Sequence, residues 1–125
     1  MRLRVGGLLA MAPVCKSSGF ANMQNTKRKR DNIQGDTEYA AVRDGNAMAL
    51  AAAFLFNLAV QRDVRTSIEN PAGSMMFAFP KPYYTHLPNL ATVIVDRCAF
   101  ADDPDGELCK KPYKFLGSGV LCSQC

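Results

Sequence analysis

The sequence predicts a single α/β domain with parallel strands and one long buried helix. A short apolar run, Leu8 to Ala12, stops at Pro13, and an alanine-rich stretch from Ala47 to Gln61 carries neither glycine nor proline. Thr66 to Ile68 then reads as a second short strand, and Ala91 to Val95 as a β-branched third. Strand, helix and strand in that order make a right-handed crossover unit whose strands run parallel. With 125 residues and 48% apolar content, residues 1–125 suffice for one core and exclude a multidomain machine.

Leu8 to Ala12 fits a buried strand, because the proline that ends it removes a ladder donor. From Lys16 to Asp44 the composition turns to Ser, Asn, Gln, Thr, Lys, Arg and Asp, which predicts a long polar and basic loop over 16–44. Asp44, Gly45 and Asn46 supply turn and cap residues, so the helix is expected to begin at Ala47. Its faces, Met48, Ala52 and Leu55 on one and Leu50, Phe54 and Leu58 on the next, are apolar nearly all round and predict a helix mostly covered by a sheet. Glu69, Asn70 and Pro71 form the turn after the second strand. Ala91 to Val95 reads as a covered strand, and Tyr113 to Leu116 as a last one ending at Gly117-Ser118-Gly119.

Fifteen basic and eleven acidic residues give a formal charge of +4, and four of the basic ones are consecutive: Lys27, Arg28, Lys29 and Arg30. Without those four, eleven basic residues balance eleven acidic ones. The basic character is therefore a local tetrapeptide, a candidate nucleic-acid-binding patch or a solvated loop charge. Five cysteines, an odd number, do not fit a small secreted disulfide framework, and an intracellular setting, nuclear or cytoplasmic, is expected. The start, Met1-Arg2-Leu3-Arg4, imitates a signal peptide, but its apolar part is short and Pro13 follows the small-residue site at Ala10 to Ala12. The apolar run Ala47 to Phe56 is too short to span a bilayer, so no membrane partner is expected.

Cys15 follows one apolar strand and Glu69 another, with a helix between them. In a parallel crossover unit both emerge at the carboxyl edge of the sheet, where a thiol can add to an electrophilic carbon while a carboxyl manages a proton. A second arrangement, Cys122-Ser123-Gln124-Cys125 with Cys98 and Cys109, contains enough thiolates for zinc but not the two close pairs of common ribbons. No metal site is assigned from it. His86, in a Pro- and Tyr-rich stretch, reads as a surface residue.

The ordered set Ala12-Pro13-Val14-Cys15, then Ile68-Glu69-Asn70-Pro71 with Gly73-Ser74, then a strand, a cysteine near its end and Lys110-Lys111-Pro112, resembles the later part of cytosine-C5 DNA methyltransferase-like proteins. It is most similar to the divergent phage, mobile-element and protist forms that carry Glu-Asn-Pro. The resemblance runs from about Leu8 to Leu121 and implies a partial, incomplete Rossmann-like methyltransferase sheet. It also implies Cys15 as the nucleophile that adds to C6 of a flipped-out cytosine, and Glu69 as the acid holding N3 and the exocyclic amine. Asn70 and Pro71 would shape the turn that presents the base. In the complete family the methyl group comes from S-adenosylmethionine, bound by a glycine-rich loop and an acidic residue on strands that precede the Pro-Cys element.

Only about a dozen residues precede Cys15 here, fewer than a strand, glycine turn and helix require. Val14 also separates Pro13 from Cys15, whereas the family pair is adjacent. The expectation is a catalytic-half fragment, a truncated gene model or decayed copy, that binds no S-adenosylmethionine itself and is inactive alone. Its expected partners are DNA or a missing cofactor-binding half. The alternative is a small nucleic-acid or protein interaction module that uses the basic loop 16–44.

Overall fold

A computed structural model describes residues 4–14, 18, 23–79, 87, 89–96 and 112–118. The described chain is a mixed α/β fold: strand β1 (Leu8–Met11), a single helical turn α1 (Met23–Thr26), the long helix α2 (Ala40–Gln61), strand β2 (Arg65–Pro71), a 3-10 turn (Met75–Phe77), strand β3 (Leu90–Asp96) and strand β4 (Pro112–Ser118). The four strands lie in one sheet in the order β1-β2-β4-β3.

β1 and β2 pair in parallel, Leu8 opposite Arg65 and Met11 opposite Ile68, as a strand-helix-strand unit requires. The expectation of parallel strands ends there. β4 inserts between β2 and β3 and runs antiparallel to both, with Ile68 and Thr92 each opposite Leu116. Proximity in sequence favours this arrangement: β3 and β4 are consecutive, and an antiparallel neighbour needs no crossover helix.

One face of the sheet carries Ile68 and Leu116 against the stripe Ala49, Ala52, Ala53 and Phe56 of α2, with Met76 beside them. Small residues at this spacing let the helix lie close to the sheet, and Phe56 fills the space that they leave. The rest of α2 is not covered as its all-round apolar pattern predicts: Phe54 stays 66% exposed, and Met48, Leu50 and Leu55 are also exposed. Two further strands depart from expectation in the same way. β1 and β3 are the outer strands of the sheet, so Leu8 is 61% exposed and Ile94 62% exposed although their sequences read as covered strands. Local hydrophobicity identifies a strand, but only the sheet order decides whether it is central.

The helix begins at Ala40, seven residues before the expected start, and takes in Gly45 and Asn46. Asn46 forgoes capping because tertiary bonds claim its side chain. Its Nδ2 donates to Gln34 O at 3.0 Å, and its Oδ1 accepts from Arg28 Nη2 at 2.8 Å. Arg43 holds the entry to the helix from outside, donating to Thr37 O and Glu38 O at 2.9 Å each.

Candidate functional site

Glu69, Asn70 and Pro71 do not form a turn after β2; they are its last three residues. Side chains therefore alternate across the sheet at this point. Glu69 lies opposite Phe115 on the face away from α2, half-buried, whereas Asn70 shares the α2 face with Ile68 and is 1% exposed. The two adjacent motif residues thus serve opposite faces. Pro71 is tolerated because the ladder ends there, and the next main-chain bond, Ala72 N–H to Pro112 O at 2.9 Å, bypasses it.

The carboxyl end of β1 meets this segment. Asn70 Nδ2 donates to Pro13 O at 2.8 Å, across 57 residues of sequence. A second bond joins the same two stretches: Met75 N–H donates to Ser18 O at 2.9 Å, and Ser18 is buried. Ser74 caps the 3-10 turn that presents Met75, its Oγ accepting from Met76 N–H at 3.2 Å. Cys15 falls between the two anchored residues Pro13 and Ser18 but lies outside the described residues, as do His86, Cys98, Cys109, Cys122 and Cys125. Among the described residues no group of three or more His, Cys, Asp and Glu side chains is placed to hold a metal.

Below Asn70 the same face continues with Thr66, whose Oγ1 lies 2.6 Å from Ser118 Oγ, a buried hydroxyl pair that satisfies both groups. Asn70 is less completely served. Its Oδ1 is buried and has no hydrogen-bond partner among the described residues.

The basic run does not present four side chains to solvent. Arg28 turns inward to 2% exposure, donating from Nη1 to Ile33 O at 2.7 Å and from Nη2 to Asn46 Oδ1 at 2.8 Å and Val42 O at 3.4 Å. Burial under this loop lowers its pKa from the ordinary arginine value. Nucleic acid cannot reach a guanidinium so enclosed, so the patch reduces to Lys27, Lys29 and Arg30, of which Lys27 is already paired. Gly35 makes the enclosure possible at a φ of +73°, packed on the Arg28 stem. An added Cβ there would stand 2.7 Å from both Arg28 Cγ and Thr26 O, so Gly35→Ala is expected to cost about 2 kcal/mol in chemical denaturation.

Lys27, itself at a φ of +51°, places Nζ 2.6 Å from Asp36 Oδ2. The Lys27 ammonium and the Glu38 N–H hold the Asp36 carboxyl below its ordinary 3.8, and Asp36 in turn raises Lys27 above 10.5. The sign follows for each group. A lowered carboxyl contributes stability above its ordinary pKa and loses it as pH falls through the folded value; a raised ammonium contributes below 10.5 and loses it as pH climbs past that. Both groups face solvent, so Asp36→Asn is expected to flatten only a small part of the acid limb of a stability-versus-pH curve, and added salt should mask the difference.

Gly6 and Gly7 precede Cys15 in the sequence, and their N–H groups are engaged within the chain. Gly6 N–H donates to Asp63 O at 3.1 Å and Gly7 N–H to Arg4 O at 2.9 Å. A cradle for an anionic or ribose-bearing cofactor needs such groups free, so these residues do not fit S-adenosylmethionine. No helix among the described residues is long and apolar enough to cross a membrane.

Comparison with protein-family models, curated proteins and solved structures finds no match.

Two features of the site were not legible in the sequence: the inward turn of Arg28 and the bond from Asn70 to Pro13. A glycine seven residues after an arginine carries no specific signal for the first. The second depends on a strand pairing that spans the whole of α2.

Proposed function

We propose that the carboxyl edge of β1 and β2 is the nucleophilic half of a pyrimidine-modifying site of the cytosine-C5 methyltransferase type, with Cys15 as nucleophile and Glu69 as base-holding acid. The observation that carries this reading is the double tie between the two motif segments, Pro13 to Asn70 and Ser18 to Met75. Pro13 and Ser18, the described residues on either side of Cys15 in sequence, are thus both bonded to the segment that follows Glu69. A Rossmann-like ancestry agrees with the parallel β1-α2-β2 unit, in which ligands gather outside the carboxyl ends of the strands. The thiolate sulfur forms the bond to C6 of the base. The C5–C6 π pair moves into the ring towards N3, where a proton on the Glu69 carboxyl offsets the developing charge. No methyl-transfer step is assigned to this chain, because Gly6 and Gly7 do not fit the cofactor.

The test uses an oligonucleotide carrying 2-pyrimidinone in place of cytosine, whose C6 accepts thiols readily. The protein is expected to form a stoichiometric adduct, located by peptide mass spectrometry on Cys15 and absent in Cys15→Ser. Glu69→Gln should slow its formation by a factor of about 100. An adduct spread over the other cysteines, or none at all, would remove the reading. Calorimetric titration with S-adenosylmethionine is expected to show no binding, and micromolar affinity would overturn the claim that the chain lacks that site.

A second reading, a nucleic-acid or protein interaction module, retains Lys29 and Arg30. The reciprocal bonds between Lys29 and Asn32, N–H to O at 3.0 and 3.1 Å, hold these two exposed side chains on a tight turn. Replacing both by Ala is then expected to reduce the log-log salt slope of DNA binding in a filter assay by about 2, and an unchanged slope would discard it.

A further inference from the structure

Helix α2 is apolar on the side away from the sheet as well as on the side that meets it. From Ala47 to Val60 the one polar side chain is Asn57, and its Nδ2 donates to Ala53 O at 2.9 Å within the helix. On the outer side Ala47, Ala51, Phe54 and Leu58 follow one another at steps of three and four residues, so they form one stripe. Phe54 at its centre is 66% exposed, and Met48, Leu50 and Leu55, all exposed, flank it. A contiguous apolar patch of this kind marks an interaction surface.

The order of residues along the stripe says what covers it. Its first half is small, Ala47 and Ala51, and its second half is large, Phe54 and Leu58. Asp44 lies one turn before Ala47 and Arg62 one turn after Leu58, both exposed, and neither forms an ion pair with a described residue. A stripe that is small and acidic at one end, large and basic at the other, is complementary to itself run backwards. An antiparallel second copy, with the two-fold axis crossing between Ala51 and Phe54, sets Phe54 over Ala51 of the second copy and Leu58 over its Ala47. The same register brings Asp44 beside Arg62 of the second copy, and the symmetry repeats each contact. A parallel pairing would instead stack Phe54 on Phe54 and Asp44 on Asp44. A lipid surface fits less well, because an interfacial helix carries Lys and Arg beside its apolar face, where α2 has Met48, Leu50 and Leu55.

We propose that the outer face of α2 is a homodimer interface, in which two copies pack this helix antiparallel and close both ends with Asp44–Arg62 ion pairs. The inference uses no residue of the β1–β2 edge and stands independently of the chemistry there. From Ala47 to Leu58 the stripe runs about 17 Å along the axis, which puts the contact at the small end of specific interfaces and its dissociation constant on the order of 50 μM. An unfolding scan at about 2 μM therefore reads the monomer, in which Phe54 has no partner to lose.

Sedimentation equilibrium of the full chain, from about 5 to 500 μM, tests the proposal. Reductant keeps the five cysteines from linking copies. The wild type is expected to pass from monomer to dimer across this range. Phe54→Asp, shown to be folded by circular dichroism, should raise the dissociation constant by about 30-fold or more, the loss of a central anchor. At low salt Asp44→Arg and Arg62→Asp should each raise it about tenfold, because each variant sets like charges together at both ends of its own dimer. Mixed in equal amounts, these two variants should pair with each other at wild-type affinity, since every end contact is then of opposite sign. A misfolded variant cannot give that recovery. A wild type that stays monomeric at about 500 μM overturns the proposal, as does a dimer indifferent to Phe54→Asp or a mixture no tighter than either variant alone. A monomer that sediments with phosphatidylcholine vesicles would give the face to a lipid surface and overturn it as well.

Discussion

Arg28→Ala is expected to lower the unfolding free energy by about 3 kcal/mol or more, read as a fall in the urea midpoint at unchanged slope. Hydrogen bonds from a charged donor contribute about 1.5 to 3 kcal/mol each, though they do not add in full. Arg28 makes close bonds to Ile33 O and Asn46 Oδ1 and a longer one to Val42 O. Its removal strips Ile33 O and Asn46 Oδ1 of a charged donor under a loop, and that penalty outweighs the relief of releasing a desolvated charge. Arg28→Lys should recover little, because one ammonium on a flexible stem cannot reach three acceptors that a planar fork spans.

The same substitution separates two meanings of the basic run. If Arg28→Ala weakens nucleic-acid binding only in proportion to the unfolded fraction, the residue is architectural. A loss measured on protein shown to be folded would place the guanidinium at the interface and contradict its burial.

Phe56→Ala is expected to cost about 3 to 5 kcal/mol, the range for emptying an aromatic site in a packed core. Phe56 is fully buried in a cluster whose other buried helical members are Ala49, Ala52 and Ala53, side chains too small to fill the space it would leave. Ile68 and Leu116 close the cavity from the sheet, where their backbones are fixed by ladder bonds. Phe54→Ala, two residues away on the open side of the same helix, should change stability by less than about 1 kcal/mol. Thermal unfolding of the two variants side by side checks both values. Equal losses would mean that α2 packs by a different face.

The periodicity and composition that mark a helix are local, and they located α2 to within its first two turns. Those turns were missed because Gly45 and Asn46 favour a cap in isolation, and only the bonds from Arg28 and to Gln34 hold them in helical form. The reading of Glu69-Asn70-Pro71 as a turn had a similar cause. Asn and Pro favour turns locally, but β4 supplies partners for the whole of Thr66 to Pro71, and a strand extends wherever its ladder does. A run of four basic residues predicts solvation, yet folding a short loop over an apolar stem and a glycine can enclose one of them.

What the residues alone determined is the α/β class, the parallel pairing of the strands on either side of α2, and the shared edge to which the Pro13 and Glu69 segments run. Each depends on hydrophobic pattern, helix propensity and the fixed hand of the crossover, all of which act over short stretches of chain. The tertiary structure decided that β4 inserts antiparallel between β2 and β3, that β1 and β3 lie outermost, that Arg28 is interior, and that Asn70 clasps Pro13. Those outcomes turn on which distant groups come into register. A backbone pairing or a buried guanidinium gains its stabilisation only from partners that folding brings together, and no window of sequence contains both sides of such a contact.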